Sequence, residues 1–195
     1  MVYIKSKREI ELMKEACKIA NLAQKAVEKA IKPGITTYEL DQIAEKTIRE
    51  HGGIPAEKGY PSGIKGVPDF PASICASIND EVIHGIPSKK VVLKEGDLVS
   101  VDLVAYKNGF NGDCARTYIV GKASSENERL VNITKQAFFE GIKFAKVGYR
   151  LRRYISCYWR VYRKKWIFCC KRISRSWNRK TNAWRPRNTK LWKSW

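Results

Sequence analysis

Two aspartates, Asp102 and Asp113, are the residues of this chain whose surroundings most demand a chemical explanation. Asp102 lies between Val101 and Leu103 in the most apolar run of the sequence. An unpartnered carboxylate there costs roughly several kcal/mol, or takes up a proton. The chain turns at Lys107-Asn108-Gly109 and returns as a second strand that carries Asp113. A turn centred between Lys107 and Asn108 sets the two carboxylates directly opposite each other, whereas an Asn108-Gly109 turn shifts the register by two and sets them on a diagonal; both keep them on one sheet face. Carboxylates held together repel unless a cation or a proton lies between them, and a pair of divalent ions is the strongest remedy. Spacing alone leaves a second reading open, in which Asp113, within Asn111-Gly112-Asp113, is a loop or strand-edge residue in solvent.

His84 precedes the Gly85-Ile86-Pro87 break at the end of an expected short strand, a place from which it could project into a cleft; a structural role for it stands beside the catalytic one. Cys75 and Cys114 read as small core hydrophobes. Cys17, Cys75 and Cys114 are odd in number and widely spaced, and Cys169-Cys170 carry no ligand spacing, so all six cysteines are expected as thiols.

The elements that must position these residues follow from periodicity. Ser6-x-x-Glu9 is a capping-box pattern that opens a helix over residues 7 to 31, with Ile10, Met13, Cys17, Ala20, Ala23, Val27 and Ile31 on one face. Thr36-x-x-Glu39 opens a second helix, carrying Leu40, Ile43, Ala44 and Ile48, which His51-Gly52-Gly53 ends. Residues 54 to 71 are rich in Gly and Pro and read as a surface loop. Strands are expected over 73–78, 81–84, 98–106 and 110–120, and a last helix over 124–147 with Leu130, Ile133, Ala137, Phe138 and Gly141 inward. The order is that of an α+β domain occupying residues 1–149.

Charge divides the chain at the same place. Residues 1–149 hold 22 basic and 19 acidic residues, whereas the 46 residues from Arg150 to Trp195 hold 16 Lys or Arg, all six Trp, and no acid. The runs Tyr154–Trp159 and Trp166–Cys170 read as following neither helical nor strand periodicity, and the tail is expected to be disordered. The start of the chain lacks the apolar core of a signal peptide and no run reaches membrane-spanning length, so a cytoplasmic location without membrane contact is expected.

Three blocks carry a family resemblance: Asn79-Asp80-Glu81-Val82-Ile83-His84-Gly85-Ile86-Pro87, Gly96-Asp97-Leu98-Val99-Ser100-Val101-Asp102, and Gly109-Phe110-Asn111-Gly112-Asp113-Cys114-Ala115-Arg116-Thr117. In this order and spacing the chain resembles the type I methionine aminopeptidases, from its first helix to about Gly148. The resemblance implies the pita-bread fold, of which this stretch is the N-terminal half, and a dinuclear site for two divalent metal ions (cobalt, manganese, iron or zinc). It implies that Asp102 is the bidentate ligand of one metal, that Asp113 is shared between both, and that His84 contacts substrate near the scissile amide. Phe70 and Cys75 lie where the family lines its pocket for the methionine side chain, although residues 63–69 form an insertion relative to shorter members. Implied partners are nascent polypeptide N-termini beginning with Met, with association at the ribosome, and a monomeric state. The family's other three ligands, a His in Gly-His-Gly and two Glu, have no counterpart in residues 150–195, which contain neither His nor Glu.

A one-base frame change accounts for the tail. Arg175-Ser176-Trp177-Asn178-Arg179-Lys180 written AGG TCA TGG AAT AGG AAA reads, one base on, as Gly-His-Gly-Ile-Gly. Codon degeneracy permits this reading without forcing it, but Trp177 followed by Asn178 yields only Gly. The expectation is a frame change near Tyr149 to Arg153, leaving an enzyme by descent that is inactive as written. Two alternatives are a catalytically dead pita-bread binding protein whose basic tail binds RNA or the ribosome, and a small hydrolase with a rebuilt site.

Overall fold

The computed structural model describes residues 4–165. Residues 166–195 lie outside the described residues, and with them most of the tail expected to be disordered and both Cys169 and Cys170.

Helices α1 (Lys7–Ala30) and α2 (Thr37–Glu50) each begin with the expected capping box. In α1 the Glu9 N–H donates to Ser6 Oγ at 3.3 Å while Ser6 N–H donates to Glu9 Oε2 at 2.7 Å, and Thr36 and Glu39 repeat the exchange in α2 at 3.1 and 2.8 Å. Each box satisfies N–H groups that the first helical turn leaves without partners.

Four antiparallel strands follow: β1 (Ile54–Pro55), β2 (Cys75–Ile78), β3 (Leu98–Lys107) and β4 (Phe110–Ile119). β4 pairs with β3 over its whole length, and β2 and β1 pair with successive stretches of it. The β3–β4 link is a two-residue turn in which Asn108 and Gly109 have φ of 52° and 87°. Positive φ at both positions is the requirement of the type I′ hairpin turn, which fits the twist of the strands it joins.

Alternation along β3 builds the core. Val99, Val101, Leu103 and Ala105 are buried and meet Ile19, Ala20, Ala23 and Val27 of α1 and Leu40, Ala44 and Ile48 of α2. Each fully buried Val, Leu or Ile side chain of this set contributes about 1.5–3 kcal/mol. The stripe of α1 that reaches the sheet runs through Ala16, Ala20 and Ala23, because Gly112 of β4 lies so close to the backbone of Ala16 and Cys17 that a Cβ there has no room. Ile10 and Cys17, expected on the inner face, are consequently exposed. Gln24 crosses this interface with its polar atoms satisfied: Nε2 donates to Val101 O at 2.9 Å and Cys114 O at 2.8 Å, and Oε1 accepts from Tyr118 OH at 2.8 Å.

Two compact units divide the chain at Val131/Asn132. The second contains most of α3 (Ser125–Ile142) and all of α4 (Leu151–Lys164). Ile133 and Ala137 of α3 are buried with Tyr162 of α4, and Tyr158 and Val161 pack against them. Leu130 and Phe138, expected inward, are 42% and 40% exposed.

Helix α4 corrects the reading of the tail's first third. Leu151, Tyr154, Ile155, Tyr158, Val161 and Tyr162 recur at spacings of three and four, a helical stripe. Tyr154, Tyr158 and Tyr162 form a ladder with ring centroids 6.0 and 5.5 Å apart. The interspersed Arg and the Trp and Cys neighbours masked this periodicity.

Two differences remain near the carboxylates. Residues 54–55, read as loop, form β1. Residues 81–84, read as a strand, do not: Ile83 and His84 have φ of 36° and 61°, which no strand accommodates.

Candidate functional site

Strand pairing sets Cys75, Asp102 and Ala115 in one row across the sheet and Val104 opposite Asp113 in the next. Asp102 and Asp113 therefore share the face turned away from α1 and α2, on the diagonal that the Asn108-Gly109 turn dictates. Asp113 is exposed, as its solvent-facing reading required, yet it occupies the same face as Asp102. Ser100 and Thr117 on that face join their hydroxyls at 2.8 Å.

A third carboxyl reaches this place. Ala56 N–H donates to Val104 O at 2.9 Å, extending the β1 pairing by one residue and carrying Glu57 to the site. The Cys75 thiol donates to Glu57 Oε1 at 3.9 Å. Glu57 Oε2 and Asp102 Oδ1 are buried without a hydrogen-bond partner among the described residues. Burial, followed by the charges of Asp102 and Asp113, pushes Glu57 up to about 8. Burial and then Asp113 push Asp102 up to about 6, against a lowering contribution from the Leu103 N–H. The Cys75 thiol is raised far above its ordinary range, by burial first and then by Glu57 and Asp102. Glu57 escaped the reading of the sequence; the available signal was a lone acid in the Gly- and Pro-rich stretch between Glu50 and Asp69.

Helix α2 fixes the segment that brings Glu57 and Cys75 together. Asp41 Oδ1 accepts from the N–H groups of Ser73 at 2.7 Å and Ile74 at 3.1 Å, directly before β2. One turn on, Glu45 Oε2 accepts from Ser73 Oγ at 3.0 Å and from Lys58 Nζ at 2.6 Å, next to Glu57. Burial raises Asp41, and the Ser73 and Ile74 N–H groups offset part of the rise. Burial acts against Glu45 too, but hydrogen bonds from Lys58, Arg49 and Ser73 outweigh it and hold that carboxyl low. Two carboxylates on one helix face thus clamp both ends of the 58–73 loop.

Phe70 sits within that loop, half-buried, its N–H donating to Tyr60 O at 3.0 Å and its carbonyl accepting from Gly59 N–H at 2.8 Å. His84 is half-buried beside β2, where Gly85 N–H donates to Ser77 Oγ at 3.1 Å and Gly85 O accepts from Ala76 N–H at 2.8 Å. Burial lowers the His84 imidazole below its ordinary value, favouring its neutral form. The face carrying Asp102 thus collects Cys75, Glu57 and Asp113, with His84 following the outer side of β2.

Oxygen donors suit divalent cations, and the orphaned Asp102 Oδ1 is an atom a cation would satisfy. Among the described residues, however, no group of three or more His, Cys, Asp or Glu is arranged to hold a metal ion. These residues alone therefore do not make a complete metal centre. No helix of the described residues is long and apolar enough to cross a membrane.

The profile of Metallopeptidase family M24 matches residues 11–171. Methionine aminopeptidase of Clostridium acetobutylicum is 50% identical over 151 residues, 77% of this chain and 58% of that protein. Methionine aminopeptidase 1 of Bacillus subtilis is 45% identical over the same shares. The crystal structure of methionine aminopeptidase from Thermotoga maritima superposes with a TM-score of 0.79 at 36% identity, covering 85% of this chain and 64% of that one. The Xaa-Pro dipeptidase of Bacillus anthracis follows with a TM-score of 0.69 at 27% identity, covering 83% and 42%. The α+β arrangement is that of the pita-bread fold, of which the chain holds the N-terminal part. It spans just under three fifths of the length of the two curated relatives.

Proposed function

The chain belongs to metallopeptidase family M24, and from that premise we propose that it is the N-terminal half of a metallo-aminopeptidase that removes the initiator methionine from nascent proteins. The observation that carries this reading is the Asp102–Asp113 diagonal, two carboxylates on one sheet face with a buried Asp102 oxygen that no hydrogen bond satisfies among the described residues. In this proposal Asp102 and Asp113 hold the carboxylate side of a site for two divalent ions (cobalt, manganese, iron or zinc). Such ions, when bound, supply Lewis-acid polarisation and a water made acidic enough to attack an amide. Cys75 and Phe70 receive the methionine side chain, and neutral His84 offers a ring nitrogen to the substrate near its scissile amide. The protein acts in the cytoplasm as a monomer, at nascent N-termini emerging from the ribosome.

Two ligands do not complete such a centre, and the composition after Glu140 supports a frame change near Tyr149 to Arg153 as the reason. This chain accordingly binds metal weakly and does not release methionine. The test is to titrate the purified chain and Asp102→Asn with cobalt and manganese by calorimetry, and to assay methionine release from a peptide beginning Met-Ala. Weak binding lost in Asp102→Asn, with no release, is the expected result. Equal binding by both proteins would remove Asp102 from the site, and release at an ordinary enzymatic rate would overturn the inactivity.

A second reading is favoured by the 16 basic residues after Tyr149 with no acid among them: a metal-free binding protein directed to RNA. Affinity for single-stranded RNA that falls steeply with salt in the full chain, combined with no metal binding, would favour it.

A further inference from the structure

The outer face of α1 carries a single line of ammonium groups. Lys7, Lys14, Lys18, Lys25 and Lys29 are all exposed, and at 3.6 residues per turn they fall within an arc of about 60° over a length of about 33 Å. Ala16, Ala20, Ala23 and Val27, which are buried, occupy the opposite side of the same helix. The stripe therefore points straight into solvent. Carboxylates do little to neutralise it. Glu9 is engaged in the capping box with Ser6, Glu15 accepts from Asn108 Nδ2 at 3.0 Å, and Glu11 pairs with Lys14 at 2.7 Å. Glu28 lies on its flank. Among the described residues no ion pair holds Lys7, Lys18, Lys25 or Lys29. Arg116 of β4, also exposed, lies alongside, its Nη2 donating to Asn21 Oδ1 at 2.9 Å. Lys14 and Lys18, and again Lys25 and Lys29, are like charges four residues apart, a spacing that works against a helix. Helix α2 does the reverse, pairing Glu45 with Arg49 and Lys46 with Glu50 at that spacing. An extended anion laid along α1 would relieve the repulsion over its whole length.

We infer that this stripe is a docking surface for double-stranded RNA, held through its phosphates. The stripe has no aromatic side chain on which single-stranded bases could stack. Its lysines are point charges that bind phosphate without reading bases. They suit the A-form duplex, whose deep, narrow major groove hides the base edges and leaves phosphates and 2′-hydroxyls to be contacted. An anionic membrane is the poorer match, because the apolar side of α1 is sealed against the sheet and has nothing to insert. The sheet stands between the stripe and the face of Asp102 and Asp113, so a bound duplex leaves that face open. The inference does not depend on the aminopeptidase reading.

The test is pulse acetylation of the full 195-residue chain, read residue by residue by mass spectrometry, with and without an RNA duplex of about 16 base pairs. Lys18, Lys25 and Lys29 are expected to lose reactivity about threefold or more, while Lys46 and Lys65, exposed on α2 and in the 58–73 loop, keep theirs. The basic residues after Tyr149 also attract RNA, and a triple variant separates the two contributions. Lys18→Gln, Lys25→Gln and Lys29→Gln combined should make the fall of log affinity with log salt shallower by about 2 units, and the corresponding triple Arg variant should keep the native slope. An unchanged slope in the Gln variant, or protection of Lys46 and Lys65 equal to that of the stripe, overturns the inference. So does equal protection by a DNA duplex of the same length, or protection by phosphatidylserine vesicles and not by RNA.

Discussion

The two faces of β3 are built from alternate residues of one strand and obey different rules. Val99, Val101, Leu103 and Ala105 are sealed under α1 and α2, and each is where its hydrophobicity puts it. Ser100, Asp102 and Val104, interleaved with them, share their face with two further carboxyls and a thiol, and two of the oxygens there are buried without partners. The first face stabilises the fold, and the second works against it, because a buried oxygen without a partner is costly. A single strand carries both because side chains of period two keep the faces chemically independent.

That contrast predicts mutational effects of opposite character. Leu103→Ala, on the sealed face, should lower unfolding free energy by about 2–5 kcal/mol through transfer and cavity terms, measured from urea midpoints; a loss below 1 would mean the core is not packed as described. Asp41→Ala reaches the open face through its scaffold. It strips the Ser73 and Ile74 N–H groups of their acceptor and should cost about 2 kcal/mol or more. It should also raise the reactivity of the Cys75 thiol towards alkylating reagents while leaving that of Cys114 unchanged.

Glu57 titrates higher in the folded chain, at about 8, than its ordinary 4.5, so the folded state holds the extra proton. Its stabilising contribution is complete below about 4.5 and is lost as pH rises through about 8. The loss should be on the order of 1–2 kcal/mol once water access to the site is allowed for. Glu57→Gln should flatten that decline in thermal melts recorded between pH 5 and 8.5, and an unchanged slope would move its cause elsewhere. Ser100→Ala removes only an exposed hydroxyl pair with Thr117 and should stay within about 0.5 kcal/mol of the native chain.

Legibility followed the same division. The two capping boxes, the buried alternation of β3 and the shared face of Asp102 and Asp113 could be read directly, because each rests on local periodicity or on strand parity. The direct-or-diagonal choice could not, since it turned on whether Asn108 accepts positive φ. Glu57 was out of reach for another reason: its burial depends on β1, a two-residue strand too short to announce itself, and on a clamp from Asp41 and Glu45 that spans some thirty residues of chain. Helix α4 was missed through composition, its Tyr ladder hidden among Arg and Trp, whereas α1 and α2 had caps to declare them.

The Asn108-Gly109 turn makes the hairpin a counting device. Adding one residue there would carry every side chain of β4 to the opposite face, replacing Asp113 by a neighbour and driving a charged group towards α1, where Gly112 now leaves no space for a Cβ. Adding two would merely slide Asp113 one rung along the ladder beside Asp102. Length change at this turn is therefore tolerable only in even steps, and the length of the loop carries as much information about the site as the identity of the aspartates themselves.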